Sequence, residues 1–202
     1  MKNLILLLIA TLALTACKTT HNETVGRADH VQVASLVQEH GYFTLTARDS
    51  SGAIKWEEDN IPNALSNEGE YLIQDVMFRG NTAPVGYYLR LYNTTPGLTS
   101  TLTTLAASEP ATANGYNPAN QGITKDATGW PLVPQLVTSH YEITSKTVTI
   151  TASGGTIGPV TYAALATSSD NTGKLVAYAA LSATRTLQIG DSLAMTYKIR
   201  LQ

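Results

Sequence analysis

The last stretch of the chain, residues 192–201, alternates apolar side chains with polar or small ones at every position. The apolar set is Leu193, Met195, Tyr197, Ile199 and Leu201. Because successive side chains of a β-strand point to opposite faces of the sheet, this pattern predicts a strand with one buried face and one solvated face. A shift of one residue would turn all five apolar groups outward, so the pattern also specifies the pairing register.

Shorter runs of the same kind precede this strand. Three of them span residues 140–153, 159–169 and 173–183, and Gly, Asn and Asp residues that are typical of turns separate the runs. The turn around Asn171 and Gly173 joins two of these runs, as a meander or a Greek key requires. The last third of the chain therefore predicts four strands.

A hairpin is predicted near the start of the domain. Phe43, Leu45 and Ala47 alternate with threonines, and the turn residues 49–52 separate them from a second apolar run. Residues 87–92 predict a further strand. Together these runs predict a mainly β chain, an antiparallel β-sandwich or jelly roll of about seven or eight strands with one short helix.

The helix is predicted between residues 65 and 80. Its apolar residues recur at helical spacing, at Leu65, Leu72, Ile73, Val76 and Met77. Asn67 can cap the first turn, with Glu70 three residues later, and Gly80 follows the last turn. We expect the apolar stripe of this helix to pack on a sheet rather than to contact a ligand.

Residues 93–126 differ from the rest of the chain. They are rich in Thr, Ser, Ala, Asn, Gly and Pro and contain few large apolar groups. A segment of this length without strong periodicity is typical of a functional or mobile loop. We therefore expect a long loop that carries partner contacts and that can be deleted from Pro96 to Gly122 without loss of the fold.

The first 17 residues have the features of a lipoprotein signal peptide. Lys2 precedes an apolar run, residues 4–14, that is short for a membrane span but has the length of a secretory h-region. The sequence LTAC at residues 14–17 resembles the lipobox of bacterial lipoproteins, which implies that Cys17 is lipidated and becomes the mature N-terminus. Lys18 after the cysteine implies sorting to the outer membrane.

The predicted organisation has three parts. They are a signal peptide at residues 1–17, a polar tether at residues 18–40, and a β-sandwich domain at residues 41–202 that includes the long loop. Residues 31–39 could form a short helix or a first strand, because periodicity does not distinguish the two in so short a run.

Composition and motifs argue against several functional classes. Lys and Arg total 13 against 15 Asp and Glu, with no block of like charge, so nucleic-acid binding is not expected. The four histidines show no metal-ligand spacing, and no serine lies in a G-x-S-x-G elbow. The acidic residues at 57–59 would alternate between opposite faces of a strand, which disfavours a paired-carboxylate site. We therefore expect no enzymatic activity, no metal and no cofactor.

Aromatic side chains are the candidates for binding. Tyr87, Tyr116 and Trp130 lie in or beside the long loop, where an exposed ring would give a stacking surface for sugars or an anchor for a protein. Core packing accounts equally well for the tyrosines of the strand. Either Tyr88 and Tyr92 or Tyr87 are expected in the core, and the pattern does not show which.

Two blocks of sequence resemble a family of phage proteins. The first block is GYFTLTARDSSGAIKWEEDNIPNALSNEGEYLIQDVMFRG followed by YYLRLYN, and the second is SSDNTGKLVAYAALSATRTLQIGDSLAMTYKIRL. They carry a G-x-aromatic opening hairpin, a K-W exit from the turn, an N-x-x-x-N-E-G helix start and a D-x-L-x-x-x-Y-x-I-x-L final strand. Over residues 41–201 the chain is similar to small virion proteins of tailed bacteriophages, described as decoration or tail-associated proteins. The resemblance implies a virion component and brings no catalytic residue with it.

The resemblance and the signal peptide imply different locations. A virion protein would contact capsid or tail proteins, whereas a lipoprotein would be held in the outer membrane through Cys17 and would bind a surface protein or glycan. Three explanations stay open. A prophage domain acquired a lipoprotein leader, translation starts downstream at Val25 or Val31, or a phage lipoprotein on infected cells blocks receptor use by a second phage. Assembly into a homo-oligomer is compatible with each.

Overall fold

Two antiparallel sheets make up most of the computed structural model, which describes residues 39–201. The strands are β1 (Glu39–Arg48), β2 (Ile54–Pro62), β3 (Ala64–Leu65), β4 (Gly86–Tyr92), β5 (Gly122–Thr124), β6 (Gln135–Val137), β7 (His140–Thr144), β8 (Val148–Thr151), β9 (Ile157–Ala166), β10 (Leu175–Leu187) and β11 (Ser192–Leu201). The helices are α1 (Asn67–Arg79) and α2 (Leu102–Leu105). Within these described residues no helix is long and apolar enough to cross a membrane. The predicted signal peptide, the predicted lipidation site Cys17 and the predicted tether as far as residue 38 lie outside the described residues, and the last two residues of that tether, 39 and 40, belong to β1.

The first sheet has the strand order β2-β1-β11-β7-β6, with β8 also paired to β11, and the second has the order β3-β10-β9-β4-β5. The predicted antiparallel sandwich is confirmed. The structure has more strands than the sequence predicts, for two reasons. The run at 140–153 divides into β7 and β8, and the very short strands β3, β5 and β6 are too brief to show a period of their own.

The core lies between the facing sides of the two sheets, which we call their inner faces. Inner-face residues of β1 and β11 are almost fully buried, as the alternation predicts: Phe43, Leu45, Ala47, Leu193, Met195 and Tyr197. The rings of Phe43 and Tyr197 lie 4.8 Å apart between centroids. The burial ends before the strand does, because Ile199 is half-buried and Leu201 is 52% exposed.

Helix α1 is confirmed, but its N-cap is Ser66 rather than Asn67. The Ser66 hydroxyl accepts a hydrogen bond from the backbone N–H of Gly69 at 3.0 Å, and Ser66 has the extended backbone of a cap residue. Asn67 is already the first helical residue and is exposed. Gly80 ends the helix in the left-handed conformation, φ 71°, where glycine pays no steric cost.

Residues 93–126 are not the separable loop that their composition predicts. They contain α2, three 3-10 turns and β5. Leu102 and Leu105 pack in a second apolar cluster, together with Tyr92, Ala164 and Leu175 of the second sheet. This cluster covers the outer face of that sheet. The segment is therefore part of the folded domain, because most of its few large apolar side chains are buried against the second sheet.

A buried ion pair fixes the same segment to the sheet. Arg90 of β4, which is 1% exposed, donates to both carboxylate oxygens of Glu109 at 2.6 and 2.7 Å. The Tyr116 hydroxyl donates to Glu109 at 3.0 Å and accepts from the backbone N–H of Leu91 at 3.1 Å. Burial raises the pKa of this hydroxyl well above its ordinary value. Tyr116 is thus a core residue, and its ring is not available as a surface contact.

Candidate functional site

Helix α1 is anchored to β10 through its first turn. The Ser66 hydroxyl donates to the carbonyl oxygen of Leu175 at 2.5 Å, and the Glu68 carboxylate accepts from the backbone N–H of Leu175 at 2.9 Å. A Cβ added at Gly69 would lie 2.1 Å from the carbonyl oxygen of Val176, so only glycine allows the helix to approach the strand this closely. The start of the helix is therefore held against the second sheet.

The rest of the helix is less well covered. Leu72 packs against the main core, whereas Ile73 and Val76 are half-buried. Met77 is 67% exposed and Phe78 is 80% exposed. The apolar stripe packs on the sheets as expected in its first half, and its second half remains at the surface.

A cavity of about 250 Å³ lies between α1 and the two sheets. Every residue that lines it is aliphatic, aromatic or methionine, and the lining includes Met77 of α1, Tyr87 of β4 and Leu201 of β11. Tyr87 meets Trp130 edge to face, with ring centroids 6.4 Å apart and planes at 87°. Burial raises the pKa of the Tyr87 hydroxyl above its ordinary value. This end of the sandwich therefore opens into an apolar cavity.

The inner face of the first sheet continues beyond the cavity. Ile199 of β11 pairs with Ile143 of β7, and Tyr141 of β7 pairs with Leu136 of β6. Because side chains alternate along a strand, Tyr141 shares a face with Ile143, and Leu201 shares a face with Ile199. Leu136, Tyr141 and Leu201 consequently lie on the face that lines the cavity.

These side chains are largely uncovered. Leu136 is 62% exposed, Tyr141 58% and Leu201 52%. Residues on the inner face of a sandwich are normally covered by the opposite sheet. With Met77, which like Leu201 lines the cavity, they form what we call the apolar strip: Met77, Leu136, Tyr141 and Leu201. The strip is a surface that the described part of the chain leaves without a packing partner.

The connection from the cavity to the strip is also apolar. Trp130 lines the cavity, and Leu132 and Val133 follow it in sequence before β6 begins. Leu132 is 60% exposed and Val133 is 74% exposed. Two large apolar side chains, Leu132 and Val133, therefore lie at the surface between Trp130 and Leu136.

Charged residues at this end of the molecule lie on the other face of the first sheet. Lys198 and Arg200 of β11 both form ion pairs with Glu142 of β7. The ring of Tyr42 lies beside both cations, 5.1 Å from the Lys198 ammonium and 5.3 Å from the Arg200 guanidinium. These charges are paired with each other on that face, and none of them belongs to the apolar strip.

The acidic residues at 57–59 are divided between the two faces of β2, as predicted. Glu57 accepts from the Thr46 hydroxyl at 3.2 Å on one face, and Glu58 forms an ion pair with Arg185 at 2.7 Å on the other. The carboxylates therefore do not converge on one point. No group of three or more His, Cys, Asp or Glu side chains in residues 39–201 is placed to hold a metal ion.

The structure brings together two of the three aromatic residues that the sequence proposes for binding. Tyr87 and Trp130 meet in the apolar cavity, whereas Tyr116 is buried at the Arg90–Glu109 pair. Sequence reasoning missed Leu136 and Tyr141. A signal was present, because a two-residue turn at 138–139 separates short runs rich in β-branched and aromatic residues.

No protein-family model matches the chain, and no curated protein matches it. The function must therefore follow from the chemistry of the described surfaces and from the sequence features.

Proposed function

We propose that this protein is a non-enzymatic structural module that docks to another protein through the apolar strip. The observation that carries the proposal is the exposure of Leu136, Tyr141 and Leu201 on a face that a sandwich normally buries. Exposed apolar surface of this kind marks interaction sites, because leaving it in water costs about 25 cal/mol per Å².

The composition of the strip fits a protein partner. Aromatic residues and methionine are enriched in the buried centres of protein interfaces, and charged residues are depleted there. The strip has Tyr141 and Met77 together with two leucines, and the charges of Glu142, Lys198 and Arg200 lie on the opposite face of the sheet. The resemblance to small phage virion proteins suggests that the partner is a capsid or tail protein.

The test is incorporation into phage particles. Purified virions from the host strain are searched by mass spectrometry for peptides of this chain, and the expected result is a stoichiometric virion component. Leu136→Glu places a charge in the strip and should remove the protein from particles. Absence of the unaltered chain from purified virions would exclude this function.

A matched control is available on the same sheet. Ile54 of β2 is 54% exposed and lies outside the strip. Ile54→Glu introduces the same charge at a similarly exposed apolar position and should leave incorporation unchanged. Equal loss with both variants would indicate a general effect of added charge instead of docking by the strip.

A second candidate is an outer-membrane lipoprotein that binds a surface protein or glycan, with a role in excluding a second phage. The lipobox-like sequence at residues 14–17 favours it. Globomycin should then cause precursor to accumulate, and Cys17→Ser should abolish palmitate labelling. Unchanged mobility in globomycin would exclude lipid anchoring.

A further inference from the structure

A second concave surface lies on the outer face of the second sheet. It is a cleft of about 450 Å³. Tyr162 of β9 and Ala180 of β10, which pair across the two strands, form its floor. The walls are residues 93–95, which follow β4, and residues from 181–184 of β10. The cleft shares no residue with the apolar strip.

A bulge in β10 builds one wall of the cleft. Ala180 pairs with Tyr162, and the next pairing along the strands is Arg185 with Val160. Between these pairings β9 advances by two residues and β10 by five, so β10 carries additional residues that leave the regular ladder. Bulges of this kind redirect side chains and are enriched beside functional sites.

Contacts from the first sheet hold the bulge in place. The Glu58 carboxylate accepts from the backbone N–H of Ser182 at 2.7 Å and from the Arg185 guanidinium at 2.7 and 2.9 Å. The same guanidinium lies over the ring of Trp56, 4.8 Å from its centroid. These contacts fix the wall before any ligand arrives, which reduces the ordering cost of binding.

The side chains that line the cleft are uncharged, and they are a mixture of polar residues and the apolar residues Ala180, Leu181 and Ala183. The walls present hydroxyl groups of Thr94, Thr95 and Thr184 and the amide of Asn93. Among residues 39–201, the hydroxyls of Thr94, Thr95 and Thr184 have no hydrogen-bonding partner. A hydroxyl can both donate and accept, and an amide offers two donors and a carbonyl acceptor. The floor, by contrast, offers the half-buried ring of Tyr162 and a methyl group.

We infer that this cleft binds a neutral saccharide. A sugar ring has hydroxyl groups around its edge that match the threonine and asparagine side chains, and C–H faces that match an aromatic floor. The volume lies within the range of about 300–1,000 Å³ that is usual for small-ligand sites. A phosphate or carboxylate ligand would find no cation among the lining residues to offset its desolvation.

A glycan microarray that carries neutral, sialylated and sulfated glycans provides the first test, with the purified full chain as the probe. The expected result is binding to neutral glycans. The best neutral oligosaccharide is then titrated by calorimetry against two variants. Tyr162→Ala should weaken binding by about tenfold, because it removes the aromatic floor. Thr184→Val should weaken it by about three- to tenfold, because it removes one exposed hydroxyl with little change in shape.

Tyr141→Ala is the matched control, since it removes an exposed tyrosine from the apolar strip and should leave saccharide affinity unchanged. If Tyr162→Ala perturbs folding, Thr184→Val still tests the cleft. The inference is overturned if no neutral glycan binds, if only acidic glycans bind, or if Thr184→Val retains full affinity. The cleft shares no residue with the apolar strip, so this inference and the proposed function can fail separately.

Discussion

Residues 93–126 and helix α1 show opposite relations between sequence pattern and burial. The segment has few large apolar groups and no clear period, yet Leu102 and Tyr116 are fully buried. Helix α1 has the regular apolar stripe of an amphipathic helix, yet Met77 of that stripe is 67% exposed. Periodicity therefore indicates which element forms, and the surface opposite that element decides how much of it is buried.

The difference has a structural cause. The segment folds back onto an outer sheet face that carries Ala164 and Ala166, whose small side chains let α2 approach closely. Helix α1 is hydrogen-bonded to β10 through its first turn, at Ser66 and Glu68, and its second half lines the cavity at the open end of the sandwich. Five predictions test this comparison, from the largest expected effect on stability to the smallest.

The largest effect is expected from Leu102→Ala in α2. The side chain is 0% exposed, so its truncation should lower the free energy of unfolding by about 2–5 kcal/mol. Leu98→Ala is the control within the same segment, because Leu98 is 56% exposed and should change stability by less than about 0.5 kcal/mol. Urea denaturation of both variants gives the comparison. Similar losses of stability for the two variants would mean that the segment is a separable loop, as its composition predicts.

Two buried tyrosines, one within the segment and one directly before it, should behave differently when they are changed to phenylalanine. Tyr116→Phe removes the hydroxyl that bonds Glu109 and the Leu91 N–H, and should cost about 1–3 kcal/mol. Tyr92→Phe should be neutral or stabilising, because the buried Tyr92 hydroxyl has no hydrogen-bonding partner among the described residues. Chemical denaturation at pH 7 checks both, and a larger loss with Tyr92→Phe would contradict this account of the segment.

The same tyrosines should make the stability of the protein depend on pH in the alkaline range. Burial raises the pKa of both the Tyr92 and Tyr116 hydroxyls, whereas the pKa of a tyrosine in the unfolded chain is about 10. The unfolded state therefore loses these protons first, so their contribution to stability is complete below about pH 10 and declines as the pH rises above it. Tyr92→Phe should reduce this decline, as measured by unfolding between pH 8 and pH 11.

A smaller effect is expected at the start of α1. Ser66→Ala removes the N-cap hydroxyl and should cost about 1–2 kcal/mol. Asn67→Ala is the control, since Asn67 is exposed and does not cap the helix, and its effect should stay within about 0.5 kcal/mol. Thermal or urea unfolding distinguishes the two residues. A larger loss of stability with Asn67→Ala would show that Asn67 caps the helix, as the sequence predicts.

The smallest effect on stability is expected at the far end of the same helix. Met77→Ser should change the free energy of unfolding by no more than about 0.5 kcal/mol, because the side chain is largely exposed. It should nevertheless reduce incorporation into phage particles if the strip docks a capsid or tail protein. A large loss of stability would show that α1 is buried as fully as the segment is.

The sequence predicted the regular strands well and the binding residues only in part. Strict alternation identified β1 and β11, and the expected face of β11 is buried as far as Tyr197, whereas Leu201 is 52% exposed. The capping rules could not separate the neighbouring residues Ser66 and Asn67, because the deciding contact is a bond to Leu175 on a distant strand. Composition likewise could not separate Tyr116, which meets a buried ion pair, from Trp130, which lines a cavity.

By itself the sequence determined the mainly β class, the buried face of the last strand and the existence of α1. These follow from side-chain period and turn residues, which act over a few neighbouring positions of the chain. Only the tertiary structure decided that α2 lies in a buried cluster and that Leu136, Tyr141 and Leu201 lie at the surface. The physical reason is that burial depends on which distant segments cover a face, and no local pattern records how far an opposing sheet extends.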